Sequence, residues 1–349
     1  MTLYSFFTHL LFAVCLFFIS VVICLLMIHR VKIMDIPNQR SSHDVPIPKS
    51  GGIVVVVTFL IGVLAIWLFG DSTMIKKTYF FGFLFSATLV SIISFYDDLK
   101  ARPFFLKLTG QVVAASTVIF SGVVIHSISL PFSGMVQLGI IGYIITFIWI
   151  VGLTNAYNFM DGLNGMAAGQ SVITGLFFCF ISFTQGSTFV YIICYTIISG
   201  SLGFMVFNFP KAKLFMGDVG SAFLGFVFAT LAIIAALYDH SHTSLFVMPL
   251  LMFNYIYDTA FTFVRRLVNK ENVSAAHRTH LYQLFNRLGY SHAAVSCFHF
   301  CLCIAQGVGA IIMVNIQGGQ RVFVFVPFLL FQVGYSMLIA TQAKKKGLI

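Results

Sequence analysis

Charge is what this sequence has least of. Of 349 residues only 9% are Asp, Glu, Lys or Arg, against a hydrophobic share of 59% and a mean hydropathy of +0.98. A soluble domain carries about 25% charged residues, so a chain this poor in charge has no means of covering a water-facing surface. It reads as an all-α polytopic membrane protein, one bundle of 1–349 rather than a string of globular domains. The first 29 residues hold no Lys, Arg, Asp or Glu. A cleaved signal peptide needs a basic start, a shorter apolar core and a small-residue cleavage site. With none of these, Leu10 to Ile28 is expected to stay as a first span. Internal repeats and low-complexity segments are missing as well. The seven cysteines (15, 24, 179, 194, 297, 301, 303) all fall in apolar runs. Cys297-x-His299-x-Cys301-x-Cys303 suggests a metal at first sight, but residues two apart on a helix point to different faces. Free thiols packed in a bundle are the better reading, and no disulfide framework is implied.

A bilayer-spanning helix needs about 20 mostly apolar residues. Eleven such runs are legible, near 7–29, 52–69, 79–96, 106–124, 136–153, 166–184, 188–207, 220–238, 244–264, 292–314 and 321–342. Between the fourth and fifth, near 123–139, VVIHSISLPFSGMVQLG alternates apolar and polar residues around Pro131 and Gly134. That is the pattern of a small β-hairpin outside the bilayer. Eleven spans put the termini on opposite sides, and the Lys/Arg bias decides which side is which. With the N-terminus periplasmic and the C-terminus cytoplasmic, 17 of the 20 basic residues fall on the inner face, leaving Lys76, Lys77 and Arg321 outside. The net charge of +10 is then a charge of the cytoplasmic face of a bacterial inner membrane. By itself it reports topology and attraction to anionic lipid. Nothing calls for nucleic acid. An exposed helix face would serve a homodimer or lipid alone.

The ten acidic residues sort sharply on this map. Asp97 and Asp98 end the third span, Asp161 follows the fifth, and Asp218 lies between the seventh and eighth. All four stand on the inner side at a membrane boundary. Asp71 and Asp239 read as ordinary outer loop charges, and Asp35, Asp44 and Glu271 have no special setting. Asp258 lies about two turns inside the ninth span. An intramembrane carboxylate is a functional candidate by default; the alternative is a supporting pair with Arg265 or a Thr hydroxyl.

The inner loops, near 30–51, 97–105, 154–165, 208–219 and 265–291, carry the remaining polar groups. In Asn155-Ala-Tyr-Asn158-Phe-Met-Asp161-Gly162-Leu163-Asn164-Gly165 the polar residues recur every three positions. At a helix end, neighbours in that row occupy adjacent turns and would converge on one ligand. The glycines would keep the approach open. Asp218 sits in Lys213-Leu-Phe215-Met-Gly217-Asp218-Val-Gly220-Ser221, which suits a helix cap. The same stretch also suits a helix N-terminus that receives phosphate, with glycines letting ligand approach and Asp218 holding a metal. His277-Arg278-Thr279-His280 places three cationic or titratable groups in four residues, a composition for phosphate contact. In the first inner loop Arg40, His43 and Lys49 are candidates for the same task, ahead of Gly51-Gly52 at the start of the second span.

Acids that repel one another make sense together around a divalent cation. Mg²⁺ takes oxygen ligands, usually one or two carboxylates plus substrate phosphates. Bases on the same face suit an anionic substrate. Phosphoryl transfer asks for this mixture, because its demands are positioning and charge neutralisation. At this point the residues carry a resemblance. SFYDDLKARP, NAYNFMDGLNG, LFMGDVGS, the His-Arg-Thr-His loop and the Pro-Lys-Ser-Gly-Gly stretch resemble, in order and in face, the polyprenyl-phosphate N-acetylhexosamine-1-phosphate transferase superfamily over roughly 35–290. The resemblance implies transfer of the phospho-sugar of a UDP-N-acetylhexosamine to undecaprenyl phosphate, with release of UMP and with Mg²⁺ (Mn²⁺ being an alternative). It implies Asp218 as the leading metal ligand with Asp97 or Asp98 nearby, and Asp161 and Asn158 at the metal–diphosphate group. Phe215 and Gly162-Leu163-Asn164 would meet uridine, Asn155 would belong to the same substrate row, and Lys49, His277, Arg278 and His280 would meet diphosphate or sugar. Asp258 would stand behind them. One departure stands out. Relatives that make the enterobacterial common lipid intermediate carry His-x-His-His where this chain has His280-Leu-Tyr282-Gln283. That looks closer to the branch that starts O-antigen and similar surface glycans, with GlcNAc or a 6-deoxy relative as the sugar.

A phosphate monoester has a second pKa of about 6, so the acceptor lipid is largely dianionic and needs little help from a base. Direct attack is expected, with Asp97 orienting the acceptor or removing a residual proton; Asp97 as a covalent nucleophile is the rival. The competing class is a transporter of nucleotide sugars or lipid-linked sugars. Such proteins bind near the bilayer midplane and often show repeats, whereas here the acids gather at one side.

Overall fold

The computed structural model describes residues 3–30, 33–36, 45–69, 75–100, 104–273, 275 and 277–349. Arg40, His43, Asp44, Asp71 and Arg102 lie outside the described residues. The chain begins with α1 (Leu3–Arg30), the short strands β1 (Met34–Asp35) and β2 (Ile47–Pro48), then α2 (Gly52–Phe69), α3 (Lys77–Lys100) and α4 (Phe104–Phe120). The hairpin β3 (Ser127–Leu130) and β4 (Gly134–Gln137) follows. Next come α5 (Ile140–Phe159), α6 (Met166–Thr184), α7 (Phe189–Asn208), α8 (Gly217–Leu237), α9 (Val247–Leu251) and α10 (Phe253–Val268). The chain ends with α11 (Leu281–Arg287), α12 (His292–Val314), a 3-10 turn (Gly318–Val324) and α13 (Phe325–Lys345). The protein is thus an all-α polytopic membrane protein.

Among the described residues nine helices are long and apolar enough to cross a membrane, rather than the eleven runs read from hydropathy. The two differences have local causes. The fourth run gives a 17-residue helix that stops at Phe120, where the chain turns through Ser121 and Gly122 toward the hairpin. The ninth is interrupted at Met252, which separates α9 from α10. The interruption is tolerated because side chains take over the broken ladder: the Leu251 carbonyl accepts from Gln170 Nε2 at 2.9 Å and from the Cys303 thiol at 3.8 Å. The expected hairpin is present, with Ser127 opposite Gln137 and Leu130 opposite Gly134. Asp239, expected as an ordinary loop charge, is buried, and its Oδ2 accepts the Ser241 N–H at 2.9 Å.

Helix α8 is the axis of the bundle. Every residue from Val219 to Ala235 is buried, as expected for a helix that is apolar on all sides. It packs against α2, α3 and α5. At the crossing with α2, a Cβ on Gly52 would lie 2.3 Å from the Gly220 Cα, so the two backbones touch. Gly220 therefore admits a neighbouring helix, not a ligand. Around this axis the C-terminal ends of α3 and α5 meet the N-terminal ends of α4 and α8. The chain reversals between these helices thus bring Asp97, Lys107, Asn158 and Asp218 to one end of the molecule.

Candidate functional site

The site is built on the first turn of α8. Both Asp98 oxygens face it, accepting the N–H groups of Asp218 and Val219 at 3.2 Å each. A carboxylate at a helix N-terminus is favoured by the unpaired N–H groups and the helix dipole. That end is therefore taken by a side chain of α3 and is not an open phosphate seat. Asp98 is buried to 9% exposure and acts as the strut between α3 and α8. Its neighbour Asp97 points elsewhere, toward Lys107 Nζ at 4.0 Å.

Lys107 is the centre of the arrangement. It ion-pairs and hydrogen-bonds with Asp218 Oδ2 and donates to Asn158 Oδ1 at 3.2 Å. Asn158 completes the circuit, its Nδ2 donating to Asp218 Oδ1 at 2.7 Å and to Ser221 Oγ at 2.8 Å. Four elements therefore supply one polar network: Asp97 from α3, Lys107 from α4, Asn158 from α5, Asp218 and Ser221 from α8. On the Lys/Arg map Lys107 is one of the inner-face charges, with no motif around it to assign it a task. The signal was there: Lys107 is the sole charge in an otherwise uncharged helix. Asp161, in the turn after α5, joins through electrostatics. Burial and the Asp218 and Asp98 carboxylates push its carboxyl up to about 8. A divalent cation would relieve that repulsion. Among the described residues no three His, Cys, Asp or Glu groups form a ready-made metal cage. The donors fit instead an ion held by one or two carboxylates and completed by substrate phosphates, the usual habit of Mg²⁺.

The Asn row does not converge as a whole. Asn155 turns to α4, where its Nδ2 donates to Gln111 Oε1 at 2.6 Å. Asn164 Nδ2 donates to the Pro210 carbonyl at 3.1 Å, and its own carbonyl accepts from Ser296 Oγ at 2.8 Å, so it ties the turn to α7 and α12. Leu163 is buried in the core. Gly162 is needed for a close approach of protein: a Cβ there would lie 2.2 Å from the Tyr282 hydroxyl.

That hydroxyl belongs to the last loop, which docks on the end of α5. Tyr282 is fully buried and its O–H donates to the Phe159 carbonyl at 2.9 Å. Asp258 organises the loop from below. It accepts from Thr262 Oγ1 at 3.1 Å, His280 Nδ1 at 3.2 Å, Leu281 N–H at 2.9 Å and Tyr282 N–H at 3.0 Å. The Thr hydroxyl and not Arg265 is its partner on α10. Arg265 spends one nitrogen on the Thr279 carbonyl at 2.6 Å and keeps Nε and Nη1 without a partner among the described residues. Arg266 staples the loop, reaching Glu271 Oε2 at 2.9 Å and the Asn272 and Ala275 carbonyls. The His277 and His280 rings stack with centroids 4.9 Å apart, and His280 lies 5.9 Å from the Phe159 ring. Burial, then His280 and the two arginines, push His277 down to about 4. Tyr282 and Gln283 stand where the resemblance expects histidines, and here they serve packing. Gln283 Oε1 accepts the His280 N–H at 3.2 Å.

The first inner loop is tied to the same site. β1 pairs with β2 (Met34 opposite Pro48). Phe215 N–H donates to the Pro48 carbonyl at 2.8 Å, Gly51 N–H to the Phe215 carbonyl at 2.8 Å and Gly52 N–H to the Met216 carbonyl at 2.7 Å. The two motifs thus run side by side, with Lys49 between the bonded residues Pro48 and Gly51.

Residues 80–236 match the glycosyl transferase family 4 model. The chain is similar to the probable undecaprenyl-phosphate N-acetylglucosaminyl 1-phosphate transferase of Bacillus subtilis (strain 168), 29% identical over 304 residues, 86% of this chain and 83% of the relative. It is also similar to the decaprenyl-phosphate N-acetylglucosaminephosphotransferase of Mycobacterium leprae (strain TN), 27% identical over 299 residues, 76% of this chain and 73% of the relative. A phospho-N-acetylmuramoyl-pentapeptide-transferase of Lactiplantibacillus plantarum is 33% identical over 203 residues, but only 54% of this chain and 61% of the relative are matched.

Proposed function

We propose the following reading of a chain that belongs to the polyprenyl-phosphate hexosamine-1-phosphate transferase superfamily. It transfers GlcNAc-1-phosphate, or the 1-phosphate of a 6-deoxy N-acetylhexosamine, from a UDP-sugar to undecaprenyl phosphate, giving undecaprenyl-diphosphate-sugar and UMP. The step starts an O-antigen or similar surface polysaccharide on the cytoplasmic face of a bacterial inner membrane. The Lys/Arg distribution supports that orientation. The carrying observation is the Asp97–Lys107–Asp218–Asn158 network at one end of the bundle, where acids and a base alternate.

An oxygen of the lipid phosphate attacks the β-phosphorus of the UDP-sugar. A phosphorus–oxygen bond forms there as the bond to the bridging oxygen breaks, and UMP leaves with that electron pair. Asp97, partly exposed beside Lys107, orients the acceptor phosphate and takes any residual proton. Lys107 and Lys49 draw the phosphates in and offset their charge. His280, held at Nδ1 by Asp258, presents Nε2 to the diphosphate or sugar, with Arg278 as a further donor. Phe215 lies against uridine. Asp218 and Asp161, with Asn158 holding Asp218 in place, are the residues that would bind Mg²⁺ or Mn²⁺, which would supply charge neutralisation at the diphosphate.

The test is a panel of radiolabelled UDP-GlcNAc, UDP-QuiNAc and UDP-FucNAc, each with undecaprenyl phosphate and Mg²⁺. UMP with labelled lipid from one sugar is expected, lost with EDTA and restored by Mg²⁺. No lipid product from any sugar overturns the reading. Inversion at phosphorus is expected for direct attack; net retention with a trapped phospho-sugar enzyme would replace it by a covalent Asp97 route.

A further inference from the structure

The end of the bundle away from Asp218 holds a cavity of about 780 Å³ between α1, α2 and α7. It lies past the far end of α8, a helix of 21 residues and so roughly 30 Å long, and no step of the transfer reaches it. Its floor is a tight crossing. A Cβ on Gly62 of α2 would lie 2.9 Å from Leu16 Cδ1 of α1 and 2.7 Å from Thr196 Cγ2 of α7, so the three helices touch at that level. Beyond it they part. Phe12 of α1, Ala65 and Ile66 of α2, and Phe189, Ile192 and Tyr195 of α7 line the gap. On each helix these positions share one face. From Leu16 to Thr8 at the mouth, α1 rises roughly 12 Å.

The lining is graded from apolar to charged. Deep in the gap, Leu16, Ile192 and Tyr195 form a small core of their own, with Phe12 and Ile66 packed against it. The polar pair of that wall is matched internally, His9 Nδ1 and the Tyr195 hydroxyl lying 3.2 Å apart. At the mouth the chain leaving α8 brings Asp239 and His240 beside Thr188. Asp239 is only 4% exposed. Its Oδ2 accepts the neutral Ser241 N–H at 2.9 Å. Among the described residues no Lys or Arg lines the cavity, and none forms an ion pair with Asp239. Lys76 stands at the same end, but its ammonium sits over the Tyr79 ring, 5.4 Å from the centroid. Carboxylates this deeply buried are normally paired with a positive charge.

The volume is that of a ligand pocket, and such pockets are mostly apolar with a few placed polar groups. The sign of the charge selects the ligand. A head of net negative charge would face Asp239 with no base to offset it, which excludes a second seat for a polyprenyl phosphate or a nucleotide. A plain hydrocarbon chain would fill the gap but leave the carboxylate without a counter-charge. A bare metal ion finds no cage, since among the described residues no three His, Cys, Asp or Glu groups come together. A primary ammonium on an apolar chain meets both demands: the chain occupies the gap, and the three N–H donors of the head reach the carboxylate. We propose that this cavity binds an amphiphile of that kind, its chain between α1, α2 and α7 and its ammonium on Asp239. An aminophospholipid of the surrounding bilayer and a free long-chain amine share this chemistry.

Native mass spectrometry of the delipidated full chain in a neutral maltoside detergent tests this. Phosphatidylethanolamine, phosphatidylglycerol with the same chains, and dodecylamine are titrated in turn. At least one of the two ammonium ligands is expected to bind about tenfold or more tighter than phosphatidylglycerol, the worth of one charge-assisted hydrogen bond. Asp239→Asn should erase that margin while leaving phosphatidylglycerol no weaker. Ala65→Trp fills the gap and should erase it as well, which keeps the test open if Asp239→Asn does not fold. A margin for phosphatidylethanolamine alone assigns the site to a lipid, and one for dodecylamine alone to a free amine. Equal binding of all three ligands overturns the proposal, and so does a wild-type margin that survives in Asp239→Asn or in Ala65→Trp.

Discussion

Lys107 holds Asp218 and Asn158 at once, and lies 4.0 Å from Asp97. A base at the centre of three groups that the sequence motifs single out is the relationship on which the site turns. Lys107→Met is expected to lower kcat by roughly 100-fold or more, the scale of losing one donor aimed at developing charge. Lys107→Arg should recover part of the loss. Steady-state rates at saturating UDP-sugar check this, and wild-type kcat in Lys107→Met would remove the residue from the mechanism.

Asp258 touches no substrate atom in the proposed arrangement; it acts through His280 and the loop. Asp258→Asn keeps the shape but replaces an acceptor oxygen by a donor facing N–H groups. About 1.5–3 kcal/mol of stability is expected to go with each charge-assisted bond lost. Activity should fall mainly in kcat, with KM for the UDP-sugar near its wild-type value. A thermal midpoint that drops while kcat stays at the wild-type value would mean that Asp258 only holds the fold.

The Gly162–Tyr282 contact predicts a rescue. Gly162→Ala puts a methyl 2.2 Å from the hydroxyl oxygen and should displace the loop. Tyr282→Phe alone gives up the bond to the Phe159 carbonyl, about 1 kcal/mol. In the double variant the methyl gains room, so the two losses should sum to less than their separate values. Thermal unfolding of the four proteins reads the coupling, and strict additivity would show that the contact carries no weight.

His277 titrates within the fold in a definite direction. Its Nδ1 accepts the Thr279 N–H at 3.3 Å, which requires an unprotonated nitrogen, and the ring is pushed down from 6.5 to about 4. A folded pKa below the unfolded one means stability that is present above 6.5, declines as pH falls toward 4, and is flat below. Thermal midpoints of wild type and His277→Asn between pH 7.5 and pH 4 should therefore diverge at the neutral end and converge at the acid end. Parallel curves would refute the assignment.

The composition made the class legible, and the placement of four acids at span ends made the site legible. Asp97 and Asp218 share Lys107, and Asp161 lies within electrostatic reach of Asp218, because the hydropathy runs set which helix ends share a face. The spacing of the Asn row misled for a geometric reason. Three residues turn a helix by about 300°, so a row of threes drifts by about 60° at each step. Asn155 has drifted onto the α4 side by the time Asn158 faces Asp218, and Asp161 lies past the helix end at Phe159. Lys107 was hidden by being alone, since a motif search rewards clusters. The break at Met252 was hidden because an apolar run averages over it, and the buried polar atoms near it that lack a partner among the described residues come from three helices, α10, α12 and α13, that no local pattern connects.

Pro48 and Gly51 are bonded to the backbone of the same residue, Phe215, from its two sides. Lys49 lies on the short arc between them. The backbones that carry the charge which would meet a phosphate and the ring which would meet a base are thus clamped together like two jaws hung on one hinge. Under the proposed function, the span between phosphate and base is then a property of the substrate that this hinge would gauge before its sugar.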